Sequence, residues 1–223
     1  TPHSTRAKTI ADTCAPSRGP LPGCTAMGLW VNKQFRDIGA LIYVGGVDEL
    51  KCVEERTGEA GPELYIGAGA SLEGAWSALS SRFEGLTDVW LRFASPPIRN
   101  AGTLGGNVAN GSPIGDGPPV LMALDAQIEL RKGAQVRRMP LADFYLDYMK
   151  NAMAPGEFVQ GLAVPLAGPS SAKGRRVRAY KISKRFDSDI SALCGGFSIE
   201  LDGETVKTIR LAFGGMAATV KRA

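Results

Sequence analysis

The chain has 223 residues, 44% of them apolar, with 26 Lys and Arg against 22 Asp and Glu. This is the composition of a folded globular protein, and it excludes a disordered or low-complexity chain. The only histidine is His3, and the four cysteines (Cys14, Cys24, Cys52, Cys194) form no C-x-x-C pair, so the sequence holds no pattern for a Cys/His zinc site, an iron–sulfur cluster of its own or a histidine-based triad.

Residues 1–20 are rich in Thr, Ser, Ala and Pro, follow no helical or strand period, and are expected to form a tail. Short apolar runs at 41–44 and 63–66 predict strands, the second leading into Gly67-Ala68-Gly69. Ser71 is placed to cap a helix over 71–83, where Leu72, Ala75, Trp76, Leu79 and Phe83 recur at helical spacing. From 93 to 119 the chain is dense in glycine, proline and small polar residues without apolar periodicity, which predicts a long ordered loop of functional type. Residues 120–124 regain helical character, and 127–131 with 136–139 predict a hairpin around Lys132-Gly133-Ala134. After a linker at 165–174, three antiparallel strands are expected at 176–183, 193–201 and 205–213. Asp202-Gly203 is the expected turn between the last two, where Phe197, Ile199, Leu201 and Ile209, Leu211, Phe213 alternate as a one-sided sheet requires. Three segments are thus expected: a tail at 1–20, a first domain at 21–169, and a second module at 170–223 that stops soon after its third strand.

Chemistry concentrates in a few places. Consecutive glycines let backbone N–H groups converge on an anion, so Gly105 and Gly106, flanked by Thr103 and Asn107, form either a phosphate cradle or merely a turn. Gly23-Cys24-Thr25 is a second, weaker candidate, in which Cys24 lacks a histidine or second cysteine to activate it. Asp116 offers an acceptor to a ribose hydroxyl or a ring N–H. Phe93 is either a stacking platform or a core residue. Lys181 shares strand parity with Val177 and Ala179, so it is a candidate inward-facing cation, with a solvated lysine equally open. Seven basic residues and no acid lie between Lys173 and Arg185. A protected strand edge accounts for them as well as an anionic ligand or partner does, and the confinement of the charge to one patch argues against nucleic acid. No apolar run is long enough to span a membrane, and the scattered thiols fit a cytoplasmic protein.

The order of these motifs carries more than any one of them. Gly23-Cys24-Thr25-Ala26-Met27-Gly28, Phe93-Ala94, Ile98-Arg99-Asn100, Thr103-Leu104-Gly105-Gly106-Asn107, Ser112-Pro113-Ile114-Gly115-Asp116 and Tyr180-Lys181 together resemble the FAD-binding segment of the xanthine dehydrogenase (molybdenum hydroxylase) family, in its bacterial small-subunit form. The resemblance implies an α+β fold: a two-lobed FAD-binding domain of the vanillyl-alcohol-oxidase/CO-dehydrogenase flavoprotein type, followed by the start of an antiparallel-sheet module. It implies that Gly23, Cys24, Thr25, Thr103, Gly105, Gly106 and Asn107 bind the diphosphate, that Phe93 packs near the adenine, that Asp116 bonds the adenosine side, and that Lys181 sits by the isoalloxazine or ribityl chain. The implied activity is purine (hypoxanthine or xanthine) oxidation. A molybdenum-binding large subunit and an iron–sulfur domain with 2Fe-2S clusters feed electrons to FAD, and hydride passes on to NAD+. Related molybdenum hydroxylases acting on carbon monoxide, an aldehyde or an aryl-CoA are the alternative, and a non-enzymatic anion-binding module is a more distant one.

Overall fold

Leu41-Ile42-Tyr43 is apolar enough to form a buried strand, and it is the centre of a small parallel sheet. The structure, a computed structural model, describes residues 4–13, 19–166 and 175–223; His3, Cys14, Lys173 and most of the expected linker lie outside the described residues. The small lobe runs β1 (Ser4–Arg6), α1 (Ile10–Thr13), β2 (Gly19–Leu21), α2 (Met27–Gln34) and β3 (Leu41–Tyr43), with β3 between β1 and β2 and parallel to both. Its core is Ala7, Ile42, Val44, Val47, Leu50 and Phe158. The expected tail thus supplies two strands and a helical turn of this lobe. Three-residue strands have too few positions to display a period, and they exist only through non-local pairing with β3.

The larger lobe contains β4 (Val53–Gly58), β5 (Gly61–Gly67), then the helices α3 (Leu72–Arg82), α4 (Thr87–Arg92), α5 (Pro96–Ala101), α6 (Leu104–Ala109) and α7 (Gly117–Ala123). It continues with β6 (Gln127–Lys132), β7 (Gln135–Pro140), the two-stranded ribbon β8 (Tyr145–Asp147) and β9 (Lys150–Asn151), and β10 (Phe158–Pro165). Its antiparallel sheet has the order β4-β5-β10-β6-β7. Leu64, Ile66, Ile128, Leu130, Leu162 and Val164 form one continuous core with Trp76, Leu79, Leu104 and Leu121 of the helices. Polar residues of β4 to β7 join Arg56 and Arg138 to Glu63 and Glu129. Burial alone would raise both carboxyls, but hydrogen bonds from Arg138 and Arg56 prevail and hold them below their ordinary values.

The helix expected from Ser71 forms, and the Ser71 side chain accepts from the Gly74 N–H as a cap should. Residues 93–119 differ from the expected loop: they fold into α5, α6 and α7, started by Pro96-Pro97, the Thr103 cap and Pro118-Pro119. Every residue of α7 is buried, so no polar stripe exists to reveal a helical period. Among the strands without a clear signature are β4 and β10. β4 is a mostly exposed, charged edge, and β10 is interrupted at Gln160-Gly161, where a bulge falls between Val159 and Gly161.

The last four strands, β11 (Arg175–Ser183), β12 (Ser191–Asp202), β13 (Thr205–Gly214) and β14 (Lys221–Arg222), form a separate antiparallel sheet in that order. The turn after β12 is Gly203-Glu204, one residue later than expected, with Gly203 left-handed at φ 61°. Cys194 and Ala212 are buried in the direction of α7, and Val177, Ala179 and Lys181 on the strand that packs beside α4. On the opposite face Tyr180, Phe197 and Phe213 meet edge to face, so the alternating row of Phe197, Ile199, Leu201, Ile209, Leu211 and Phe213, expected to be the buried one, faces away from the core and is partly exposed. The α+β class holds, with two lobes and an antiparallel module.

Candidate functional site

A cleft of about 500 Å³ opens between the two lobes, within the range of cofactor sites. Val44, Leu50 and Phe158 line it from the small-lobe core, and Ala68, Gly69 and Leu72 from the turn into α3. Eight of the ten residues singled out from the sequence stand on its wall: Gly23, Cys24, Thr25, Phe93, Thr103, Gly105, Gly106 and Asn107. Sequence separation of about eighty residues is closed because Gly23 has no side chain. A Cβ there would run into the Ala101 carbonyl, so only glycine brings this loop against the start of the 103–107 segment.

The two loops offer different things to a ligand. Among the described residues no acceptor meets the backbone N–H groups of Cys24, Thr25, Ala26 and Met27. These groups sit at the start of α2, whose cap residue Ala26 has no capping side chain. Unpaired N–H groups at the positive end of a helix dipole suit an anion. In the second loop the amides are already engaged: Leu104 donates to the Ala70 carbonyl, Gly105 to Ala68, Gly106 to Thr103 Oγ1 and Asn107 to the Thr103 carbonyl. A cradle of bare amides at 104–107 is therefore not what the structure contains. Gly105 is glycine because a Cβ would meet the backbone of Ala68, whereas a Cβ on Gly106 would meet only Thr103 Oγ1, at 3.0 Å. Gly105 packs the helix start onto β5; Gly106 leaves the cleft surface open.

Asp116 and Lys181 lie off the cleft wall. Lys181 points inward, as its strand parity requires, and is 4% exposed, but its ammonium is 2.7 Å from Asp116 Oδ2 and 2.7 Å from Ser191 Oγ. Asp116 is 5% exposed and also accepts from Ser191. The pair links the residue before α7 to β11 and β12, and so fastens the antiparallel module to the larger lobe. Cys194 packs beside it, its thiol pushed up by burial and by the Asp116 charge.

Cys24 is exposed and its backbone is left-handed at φ 59°, which places its thiol beside Gly28 rather than beside an activating group. Phe93 is 7% exposed and packs against Trp76 at 5.7 Å while showing its remaining surface to the cleft, so it is both a core residue and a wall residue. Several wall residues lie outside the sequence motifs, among them Trp30, Asn110 and Val159. Asn107 and Asn110 each bury an Oδ1 without a partner among the described residues. Their spacing of three on one helical turn was the available signal.

The basic segment does not form one surface. Arg175 reaches the carbonyls of Pro165 and Leu124 and stacks on Phe83, and Lys181 is buried, while Arg176 and Arg178 stay exposed on the edge strand β11. Among the described residues, no helix is long and apolar enough to cross a membrane.

Residues 3–167 match the family described as the FAD binding domain in molybdopterin dehydrogenase, and residues 178–223 match the CO dehydrogenase flavoprotein C-terminal domain. A nicotinate hydroxylase of Emericella nidulans is 32% identical over 85% of this chain and 15% of its own length. A xanthine dehydrogenase of Calliphora vicina is 34% identical over 88% of this chain and 15% of its own. The chain thus spans about a seventh of these relatives. Among solved structures, carbon monoxide dehydrogenase from Hydrogenophaga pseudoflava superposes with a TM-score of 0.88 over 99% of this chain and 77% of that chain, at 22% identity; this likeness is one of fold.

Proposed function

Because the chain belongs to the family of FAD-binding domains of the molybdopterin dehydrogenases, we propose that the cleft between its lobes holds FAD and serves as the flavin stage of a molybdenum hydroxylase of the xanthine dehydrogenase type, with NAD+ as the electron acceptor. The observation that carries the assignment is the convergence on one wall of two distant glycine-bearing loops, one of them ending in four amides that have no acceptor among the described residues, at a helix start.

The residues present fit that cofactor. Cys24 to Met27 hold the diphosphate through main-chain N–H groups, and the Thr25 and Thr103 hydroxyls stand beside them. Gly106 keeps the facing surface low enough for close approach. Phe93 supplies a flat apolar wall, and Val44, Leu50 and Phe158 exclude water from the other side. Bound FAD supplies the exchange between single-electron transfer and hydride transfer. The chain's own residues bind and orient; none of them is required to act as a general acid or base. Asp116 and Lys181 fasten the antiparallel module to the larger lobe, and a direct contact with the cofactor would require their ion pair to open. Purine oxidation, the molybdenum and iron–sulfur partners and a cytoplasmic setting go with the xanthine dehydrogenase assignment. Nicotinate hydroxylase is the related alternative, and substrate choice rests with parts of the enzyme outside this chain.

Gly106→Val tests the cleft. Its branches project into the open surface, so FAD titration of the purified full-length protein should reveal a loss of affinity of at least about tenfold, with the thermal midpoint little changed. Retention of stoichiometric flavin would reject the cleft assignment. Bleaching of the bound flavin's visible absorbance by NADH, absent with NADPH or other donors, tests the acceptor.

A further inference from the structure

Arg99 is the most deeply buried cation whose role the cleft has not absorbed. It is 6% exposed, yet it lies on the short helix α5 one residue after Ile98, a wall residue. Its Nε donates to Glu73 Oε2 on the first turn of α3. Its Nη1 lies 2.9 Å from the Phe93 carbonyl, 3.2 Å from that of Ala94 and 3.4 Å from that of Leu91. Those carbonyls belong to the end of α4 and the turn after it, where helical acceptors have no partner of their own. Ala94 is left-handed at φ 47°, a conformation an alanine adopts at a cost. Phe93 and Ala94 are both on the cleft wall.

We infer that Arg99 is a positioning residue for the flavin site: anchored by Glu73, its guanidinium holds the 91–94 turn in its strained form and so sets the Phe93 ring against which an aromatic ring of the cofactor packs. The inference rests on the FAD assignment above. A planar donor fork suits the task, since it bonds a carboxylate on one edge and several carbonyls on another. The local wiring is consistent with this, because Trp90 also donates to Glu73, from the last turn of α4. Without the cation, the Ala94 carbonyl keeps only the Ser188 hydroxyl at 3.4 Å and the Phe93 carbonyl loses its buried donor, so the left-handed turn is held less firmly.

The experiment is FAD titration of the full-length apoprotein, with thermal midpoints measured alongside. Arg99→Met should weaken FAD binding by about tenfold at temperatures where the variant is folded. Arg99→Lys should recover most of that loss, because an ammonium can still serve the carbonyls. In a Phe93→Ala background, Arg99→Met should add less than about twofold, since the ring it positions is gone. A loss of equal size in both backgrounds, or no loss at all, would overturn the inference. Should Arg99→Met fail to fold, Glu73→Gln keeps the arginine and weakens its anchor. It should cost several-fold in FAD affinity at temperatures where the variant is folded, and unaltered affinity would again overturn the inference. Failure of the unmutated protein to take up FAD would bring down the FAD assignment itself, whereas normal binding by both Arg99 and Glu73 variants would remove only the positioning role.

Discussion

The loop at 23–27 and the loop at 103–107 stand on the same wall and both carry glycine, but they do opposite work. The first is sparse in sequence signal and has four backbone N–H groups with no acceptor among the described residues. The second has the denser motif, and its amides at 104–107 are all engaged by Ala68, Ala70 and Thr103. A pair of adjacent glycines thus marks close approach in general, whether by a ligand or by another piece of backbone. Gly105 approaches Ala68, Gly23 approaches Ala101, and Gly106 has only the Thr103 hydroxyl beside it.

The largest expected effect concerns how the second loop is held at its far end, at Asp116. Lys181→Met removes the cation from a fully buried pair and strands the Asp116 carboxylate with Ser191 alone. Chemical denaturation should register a loss of about 3–5 kcal/mol, of which Asp116→Asn in the same chain returns a large part. A loss below about 1 kcal/mol would mean that the ion pair is not what fastens the module. Next in size is Gly105→Val. Its side chain has to enter the backbone of Ala68, and the expected cost is about 3 kcal/mol or more. If that variant instead folds normally and loses only FAD, the division of labour between Gly105 and Gly106 is wrong.

Hydrogen exchange divides the two loops without any mutation. In the FAD-free protein the amides of 104–107 should exchange slowly, because each is bonded, and those of 24–27 quickly. Addition of FAD should slow the 24–27 group by about tenfold or more and leave the other group nearly as it was. Slowing confined to 104–107 would restore the bare-amide cradle in the second loop.

What could be read in the sequence follows from where each signal lives. The α3 helix was legible from Ser71 onward because cap and apolar stripe lie in one stretch of chain, and the three strands of the last module were legible because apolar residues recur at every second position, although that row faces away from the core and the buried face carries Lys181, Ser191 and Ser198. The small lobe was not: β1 and β2 are three residues each and owe their existence to β3. The helices within 93–119 were hidden by their own burial. The wall residues were found as types and order, through Gly23, Phe93 and the 103–107 motif. The state of their amides could not be, since the acceptors at Ala68 and Ala70 come from a turn more than thirty residues away. Likewise, parity alone placed Lys181 inward but could not name Asp116, sixty-five residues earlier, as its partner.

The smallest expected effect is the one that isolates the first loop's main chain. Cys24 is a non-glycine residue at φ 59°, exposed, with no group nearby to activate its thiol. Two roles for it lead to different outcomes in a Cys24→Gly variant. If the side chain contributes to the cofactor site, its removal weakens FAD binding while relieving the backbone. If the loop acts only through its N–H groups, the variant keeps full FAD affinity and gains about 0.5–1 kcal/mol of stability, because glycine occupies the left-handed region without the steric cost that a Cβ brings. The second outcome is expected. The amides of 24–27 are aimed by the turn itself, and glycine can keep that turn. A drop in affinity beyond about threefold, which is roughly 0.6 kcal/mol, would assign the thiol a share of the grip that the unpaired amides now hold alone.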